Sequence, residues 1–200
     1  VLNLPSDFPR PAVQDFKGDK FSFVINQEDT RLLEQLASRE DATLYMILLA
    51  MFNVMLYKVS GQEDIIVGTP VAGRRHVELE NLIGMFVNTL VLRNNPGQEK
   101  PFYAFLSEIK ERVLQAFENQ DFPFEDLVER LDIRRDASRN PLFDVMFVLQ
   151  NMDLSGPEVS GSSLSAYGEA QNDSKFDLSL IMIESRGQIH CTFEYSTSLF

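Results

Sequence analysis

Three stretches of this sequence set hydrogen-bonding side chains of fixed geometry beside apolar anchors: IGMFVNT at residues 83–89, NQDFPFE at 119–125 and RDASRNPLF at 135–143. Groups of this kind hold a substrate or a neighbouring backbone in one orientation, and at strand or helix ends they fall where clefts form. Asn88 and Thr89 are the hydrogen-bonding groups of the first stretch, and Gly84 permits close backbone approach. The alternative reading of Asn88 is a side chain that satisfies strand-end backbone groups, and Met85, Phe86 and Val87 read as core. In the second stretch Pro123 fixes a turn, Phe122 and Phe124 anchor it, and Gln120, Asp121 and Glu125 bond backbone amides or cap the next helix. In the third, Asp136, Ser138 and Asn140 stitch a turn ahead of Pro141, with Arg135 or Arg139 forming an ion pair across it. Arg139 facing a cleft or a partner is the alternative there. Gly73, Arg74 and Arg75 close a β-branched run at a sheet edge, where the two arginines either attract an anionic partner or belong to a solvated loop.

None of this is a complete catalytic machine. There is no GxSxG elbow and no GxGxxG or Walker phosphate cradle, and the carboxylates are dispersed rather than paired. The two histidines, His76 in a charged loop and His190 in a strand, read as solvated and structural respectively. One cysteine, Cys191, makes no internal disulfide and no CxxC or Cys/His cluster offers a metal site, so no metal is expected and a reducing, cytoplasmic compartment fits. The 18 Lys and Arg against 30 Asp and Glu leave a net charge of −12, which argues against a nucleic-acid partner. No apolar run reaches the ~18 residues of a membrane span, and residues 1–10 lack the basic and apolar segments of a leader. Two hundred residues, 44% of them hydrophobic, suffice for one domain with its own core or one lobe of something larger.

The elements that must hold these stretches read as follows. Pro5, Pro9 and Pro11 make the opening residues an extended tether. Phe21, Phe23 and Ile25 alternate on one face of a half-buried strand. Asn26 caps a helix carrying Leu32, Leu33 and Leu36. Thr43 caps a second helix, apolar nearly all round, that ends at Gly61. DIIVGTPVAG at 64–73 reads as a strand covered on both faces, and GMFVNTLVLR at 84–93 as another. Pro101 opens a helix whose core stripe is Phe102, Phe105, Leu106, Ile109, Val113 and Leu114, and PFEDLVERL gives a short one. LFDVMFVLQN is a strand, about 152–172 is a Gly/Ser-rich loop, and KFDLSLIMIE and QIHCTFEYS form a hairpin about Ser185, Arg186 and Gly187. The order predicts an α/β fold, a mixed sheet with helices packed on it. Val1 in place of Met, and an end at Leu199 and Phe200 with no polar tail, read as a piece cut from a longer chain.

In this order and at these separations, IGMFVNT, NQDFPFE and RDASRNPLF resemble the last three signature motifs of the condensation domains of nonribosomal peptide synthetases. YKVSGQEDIIVGTPVAGR resembles the stretch before them, and LPSDFPRP the linker between that family's two lobes. The resemblance implies a chloramphenicol-acetyltransferase-like lobe, with residues 1–18 the inter-lobe linker and 19–200 the C-terminal lobe, truncated at its end. It implies that catalysis belongs to an HHxxxDG string in an N-terminal lobe, absent from this sequence, so His76 is not the base and the fragment alone is inactive. Two peptidyl carrier proteins would bring donor and acceptor thioesters on phosphopantetheine arms, with no cofactor resident in the lobe and an adenylation domain as neighbour. Asn88, with Thr89 and Gly84, would then line the substrate tunnel, Arg74 and Arg75 would meet a carrier or a pantetheine phosphate, and the strand starting at Phe176, Asp177 and Leu178 would reach toward the other lobe. The rival readings are a non-catalytic carrier-binding module and half of a related acyltransferase or epimerisation domain.

Overall fold

The computed structural model describes residues 2–74, 77–80, 82–133, 135–150 and 173–200. Arg75, His76 and the Gly/Ser-rich stretch expected at 152–172 lie outside the described residues. Six strands form one sheet: β1 (Gly18–Ile25), β2 (Ile65–Val71), β3 (Asn88–Asn94), β4 (Val145–Gln150), β5 (Leu178–Ser185) and β6 (Gln188–Ser196), in the spatial order β1-β6-β5-β4-β2-β3. β4 pairs parallel with both β5 and β2, and the other pairings are antiparallel. The helices are α1 (Gln27–Arg39), α2 (Leu44–Ser60), α3 (Val77–Glu80), α4 (Phe102–Glu118) and α5 (Phe124–Arg130). This is the expected mixed α/β layer.

Local sequence explains the helix ends. Asn26 accepts from the Asp29 amide at α1, Thr43 accepts from the Met46 amide at α2, and Gly61 stops α2 at φ 69°. α2 is apolar nearly all round because it lies between the sheet, α1 and α4, and Ile47, Leu49, Ala50 and Leu56 are wholly buried. One face of the sheet meets it with Ile65, Val67, Leu92, Val145, Phe147 and Met182. Inside this layer Asn53 donates to the Leu49 carbonyl at 2.8 Å and accepts from Asn94 at 3.2 Å, which fixes α2 over β3 with no unpaired polar group. Among the described residues no single helix is long and apolar enough to cross a membrane.

Several expectations depart from the structure, the first of them through the reach of the helices. Phe21 and Phe23 share the helix-facing side with Ile25, but β1 is an edge strand beyond the helices, so they are 61% and 39% exposed; they stack on each other, and Phe23 stacks on Phe193. Leu32, Phe102 and Leu114 are likewise exposed where stripes were expected to bury them. β2 is covered by helices on one face only; on the other its Pro70 is exposed, and Gly68 is covered by the Phe143 ring. The opening residues are extended as expected but packed rather than loose. Leu2 is in the core, Asp7 and Phe8 donate to the Leu199 carbonyl, and the Gln14 amide donates to the Ala137 carbonyl at 2.8 Å.

Candidate functional site

The first two stretches meet through one side chain. β2 and β3 stop pairing at Val71 and Asn88, and there the Asn88 carboxamide turns to the loop between α4 and α5. Its nitrogen donates to the Gln120 and Phe122 carbonyls at 2.7 and 2.8 Å, and its oxygen accepts from the Thr89 and Phe124 amides at 2.8 and 3.2 Å. Both donors and both lone pairs of the amide are thereby used. Asn88 touches backbone of two segments, its own strand and residues 120–124, and what it presents to a cleft is their arrangement.

The second and third stretches meet through an aromatic stack. Phe143 lies edge-on to Phe124 with centroids 5.7 Å apart and stacks on Phe176 at 5.4 Å. A methyl group added at Gly68 would sit 2.2 Å from the Phe143 ring, so the ring packs against the β2 backbone only because residue 68 has no side chain. All three stretches therefore gather at one end of the sheet.

The third stretch is a hydrogen-bonded hub. Asp136 accepts from the amide and hydroxyl of Ser138 at 2.8 and 2.7 Å, which holds its carboxyl below the usual range. Arg139 donates to Asp144 at 2.6 Å, to the Asn3 side chain at 2.9 Å and to the Leu2 carbonyl. Asn140 donates its side chain to the Lys175 carbonyl and its amide to Asp144. Arg10 forks onto both oxygens of Asp177 and reaches the Ser138 carbonyl. Asp144 and Asp177 are buried polar groups whose burial is matched by these two arginines.

Burial, and then the negative charge of Asp177, push the Asp144 carboxyl up against the pull of Arg139. A carboxyl raised in the folded state adds stability below its unfolded pKa and loses that contribution as pH rises through the folded value. Asp144→Asn removes this acid-side gain. The variant is expected to lose stability more steeply than the parent between pH 7 and about pH 4, read by urea unfolding at each pH; parallel curves would contradict it.

A cleft of about 1470 Å³ opens beside this hub, lined by Asn3, Phe124, Glu125, Arg135, Asp136 and Arg139 among others. Pro123 stands at the N-cap of α5 and Pro141 at the cleft wall. Gln120 turns its side chain to the Phe117 carbonyl, and Asp121 is exposed. Thr89 follows Asn88 into β3, opposite Pro70. Expected strand residues 84–87 are instead a loop: Arg74 donates to the Leu79, Leu82 and Gly84 carbonyls and stacks 4.4 Å over Phe86. Met85 and Val87, read as core, are 94% and 62% exposed. Phe176 is held by the Phe143 ring and Asp177 by Arg10.

Three other groups take no part in this gathering. Cys191 is buried under the helices, where burial pushes its thiol up to about 11. Tyr45 donates to Thr69 at 3.0 Å, and burial pushes its hydroxyl up to about 12. His190 is exposed on the far face of β6. Among the described residues no group of His, Cys, Asp and Glu is disposed to hold a metal. Sequence reasoning missed Arg10 and Asp144; the signals were an arginine fixed between two prolines and an aspartate set in the apolar run LFDVMFV.

The family model described as Condensation domain matches residues 1–200. Tyrocidine synthase 3 of Brevibacillus parabrevis is 54% identical and bacitracin synthase 3 of Bacillus licheniformis 50% identical over 200 residues, all of this chain in both cases. The chain spans only 3% of the length of each of these relatives. A four-domain nonribosomal peptide synthetase in its holo form, bound to AMP and glycine, superposes with a TM-score of 0.91 at 29% identity, over all of this chain and 16% of that one. The X-domain from teicoplanin biosynthesis superposes at 0.88 with 21% identity, over all of this chain and 46% of that one, a likeness of fold.

Proposed function

This chain belongs to the condensation-domain family, and on that footing we propose that it is the C-terminal lobe of a peptide-bond-forming condensation domain, residues 1–18 joining it to the preceding lobe. The observation that supports this reading is the gathering of the three stretches at one end of the sheet, beside the cleft, through Asn88 and Phe143. The reaction joins two groups delivered as phosphopantetheine thioesters on a donor and an acceptor carrier protein, with an adenylation domain as neighbour. The acceptor amine attacks the donor thioester carbon, the carbon–sulfur bond breaks, and the proton lost by the amine ends on the departing thiol. Holding two tethered reactants in place supplies much of the acceleration of such a transfer. This lobe's part is that placement, Asn88 setting the wall of the tunnel with Thr89 and Gly84, while the histidine motif acts from the preceding lobe. The surplus negative charge keeps the outer surface solvated.

The test compares this chain with the same chain preceded by its upstream lobe, each mixed with two loaded carrier proteins. Dipeptide is expected only from the longer protein. Dipeptide from the 200 residues alone overturns the proposal, and carrier binding without condensation in either supports a module that only binds carriers.

A further inference from the structure

We propose that Arg74 is a positioning residue, whose planar guanidinium fixes the path of residues 82–87 and so the place where Asn88 enters β3, instead of offering its charge to a carrier or a phosphate. The proposal rests on the reading of this lobe as part of an amide-forming domain. The 16 residues between the last pair of β2 and β3, Val71 and Asn88, are too many for a tight turn, and they need an internal strut to hold one shape. Arg74 supplies it. One guanidinium reaches the Leu79, Leu82 and Gly84 carbonyls and lies face-on over the Phe86 ring at 4.4 Å. The backbone comes equally close: Gly73 has φ +65°, and a methyl group built there would stand 1.9 Å from the Phe86 carbonyl oxygen. The segment around residues 73–74 is thus packed directly on the segment that leads into Asn88.

The consequence is visible in the side chains of the loop. Phe86 turns toward the arginine, which also bonds the Gly84 carbonyl, while Ile83, Met85 and Val87 point outward, Ile83 and Met85 almost wholly exposed. Alternation of this kind is normally maintained by a neighbouring strand; here an arginine occupies the carbonyls that a strand would pair. Two residues beyond Phe86, Asn88 clamps the chain to residues 120–124. Arg74 and Asn88 therefore hold the stretch from its two ends, and a shift at one end is transmitted to the loop that the other supports. A lysine in place of Arg74 keeps the charge but not the fork or the flat stacking face, so charge and shape separate cleanly in a substitution.

The experiment uses the complete condensation domain, wild type, Arg74→Lys and Arg74→Ala. Two quantities are read: dipeptide formation between loaded carriers, as kcat and as KM for the acceptor carrier at two salt concentrations, and amide hydrogen exchange of residues 82–87. Positioning predicts that both variants lose kcat on the order of 10- to 100-fold, that lysine does not rescue, that KM and its salt dependence stay near those of the wild type, and that exchange at 82–87 quickens while the sheet remains protected. Arg74→Lys with wild-type kcat, or a raised KM with a weakened salt dependence, overturns the proposal in favour of a charge contact. If the wild-type domain forms no amide, the reading of the reaction fails, and hydrogen exchange alone still decides the role of Arg74: unchanged exchange at 82–87 in both variants overturns it.

Discussion

Asn88→Ala in the complete domain is expected to lower turnover on the order of 100-fold, with a loss of about 2 kcal/mol in stability. The substitution removes four hydrogen bonds at once and leaves the Gln120 and Phe122 carbonyls and the Phe124 amide without their partner. The half-exposed position lets water replace part of this, which limits the stability cost. Water does not restore the register between β3 and the start of α5, and register is what a positioning site needs. Asn88→Asp sharpens the test. It keeps the two accepted bonds but points a carboxylate at two carbonyl oxygens, so it is expected to be at least as damaging as alanine. An aspartate variant with wild-type turnover, or an alanine variant that loses stability but no turnover, would show that the carboxamide only supports the fold.

The largest loss of stability is expected at Arg10. Its fork onto Asp177 joins residues 167 positions apart in the chain, and Asp177 is buried. Arg10→Ala leaves that carboxylate buried beside Asp144 without its cation and should cost about 3 kcal/mol, the range seen when one member of a buried pair is removed. For a domain of this size that is a fall of roughly 6–12 °C in Tm. The double variant Arg10→Met with Asp177→Leu removes both charges and is expected to recover most of the loss. A thermal scan of Arg10→Met, Asp177→Leu and the double variant closes the cycle, and additive losses would mean that the pair is not coupled.

What the sequence disclosed and what it withheld divide along the chain distance of the contacts. Thr43 and Gly61 bound α2 because a cap is a matter of three or four residues, and Arg186 and Gly187, with φ of 53° and 72°, make the two-residue turn that the hairpin strings demand. The three polar stretches stood out by composition, and they gather at one place. Their partners did not stand out. Asn88 finds its acceptors 32 and 34 residues away, and no local pattern names them. Residues 84–87 alternate like a strand and fail to become one, because a strand also needs a partner strand, and here Arg74 bonds the Gly84 carbonyl instead. Phe21 and Phe23 alternate correctly too, yet exposure depends on where the helices end. Periodicity tells which side a residue faces and says nothing of whether that side is roofed.

The order β1-β6-β5-β4-β2-β3 also governs the timing of folding. Of these six strands β1 is the first to leave a ribosome, and every one of its ladder bonds is to β6, the last of the six. At 5–20 residues per second about 160 residues intervene, so β1 waits roughly 10–30 s for its mate. During that interval Phe21 and Phe23 sit on an unpaired ribbon, a ready template for another nascent chain. The hazard for this fold thus lies in its synthesis: yield in a cell should respond to chaperone supply and translation speed far more than the stability of the finished molecule would suggest.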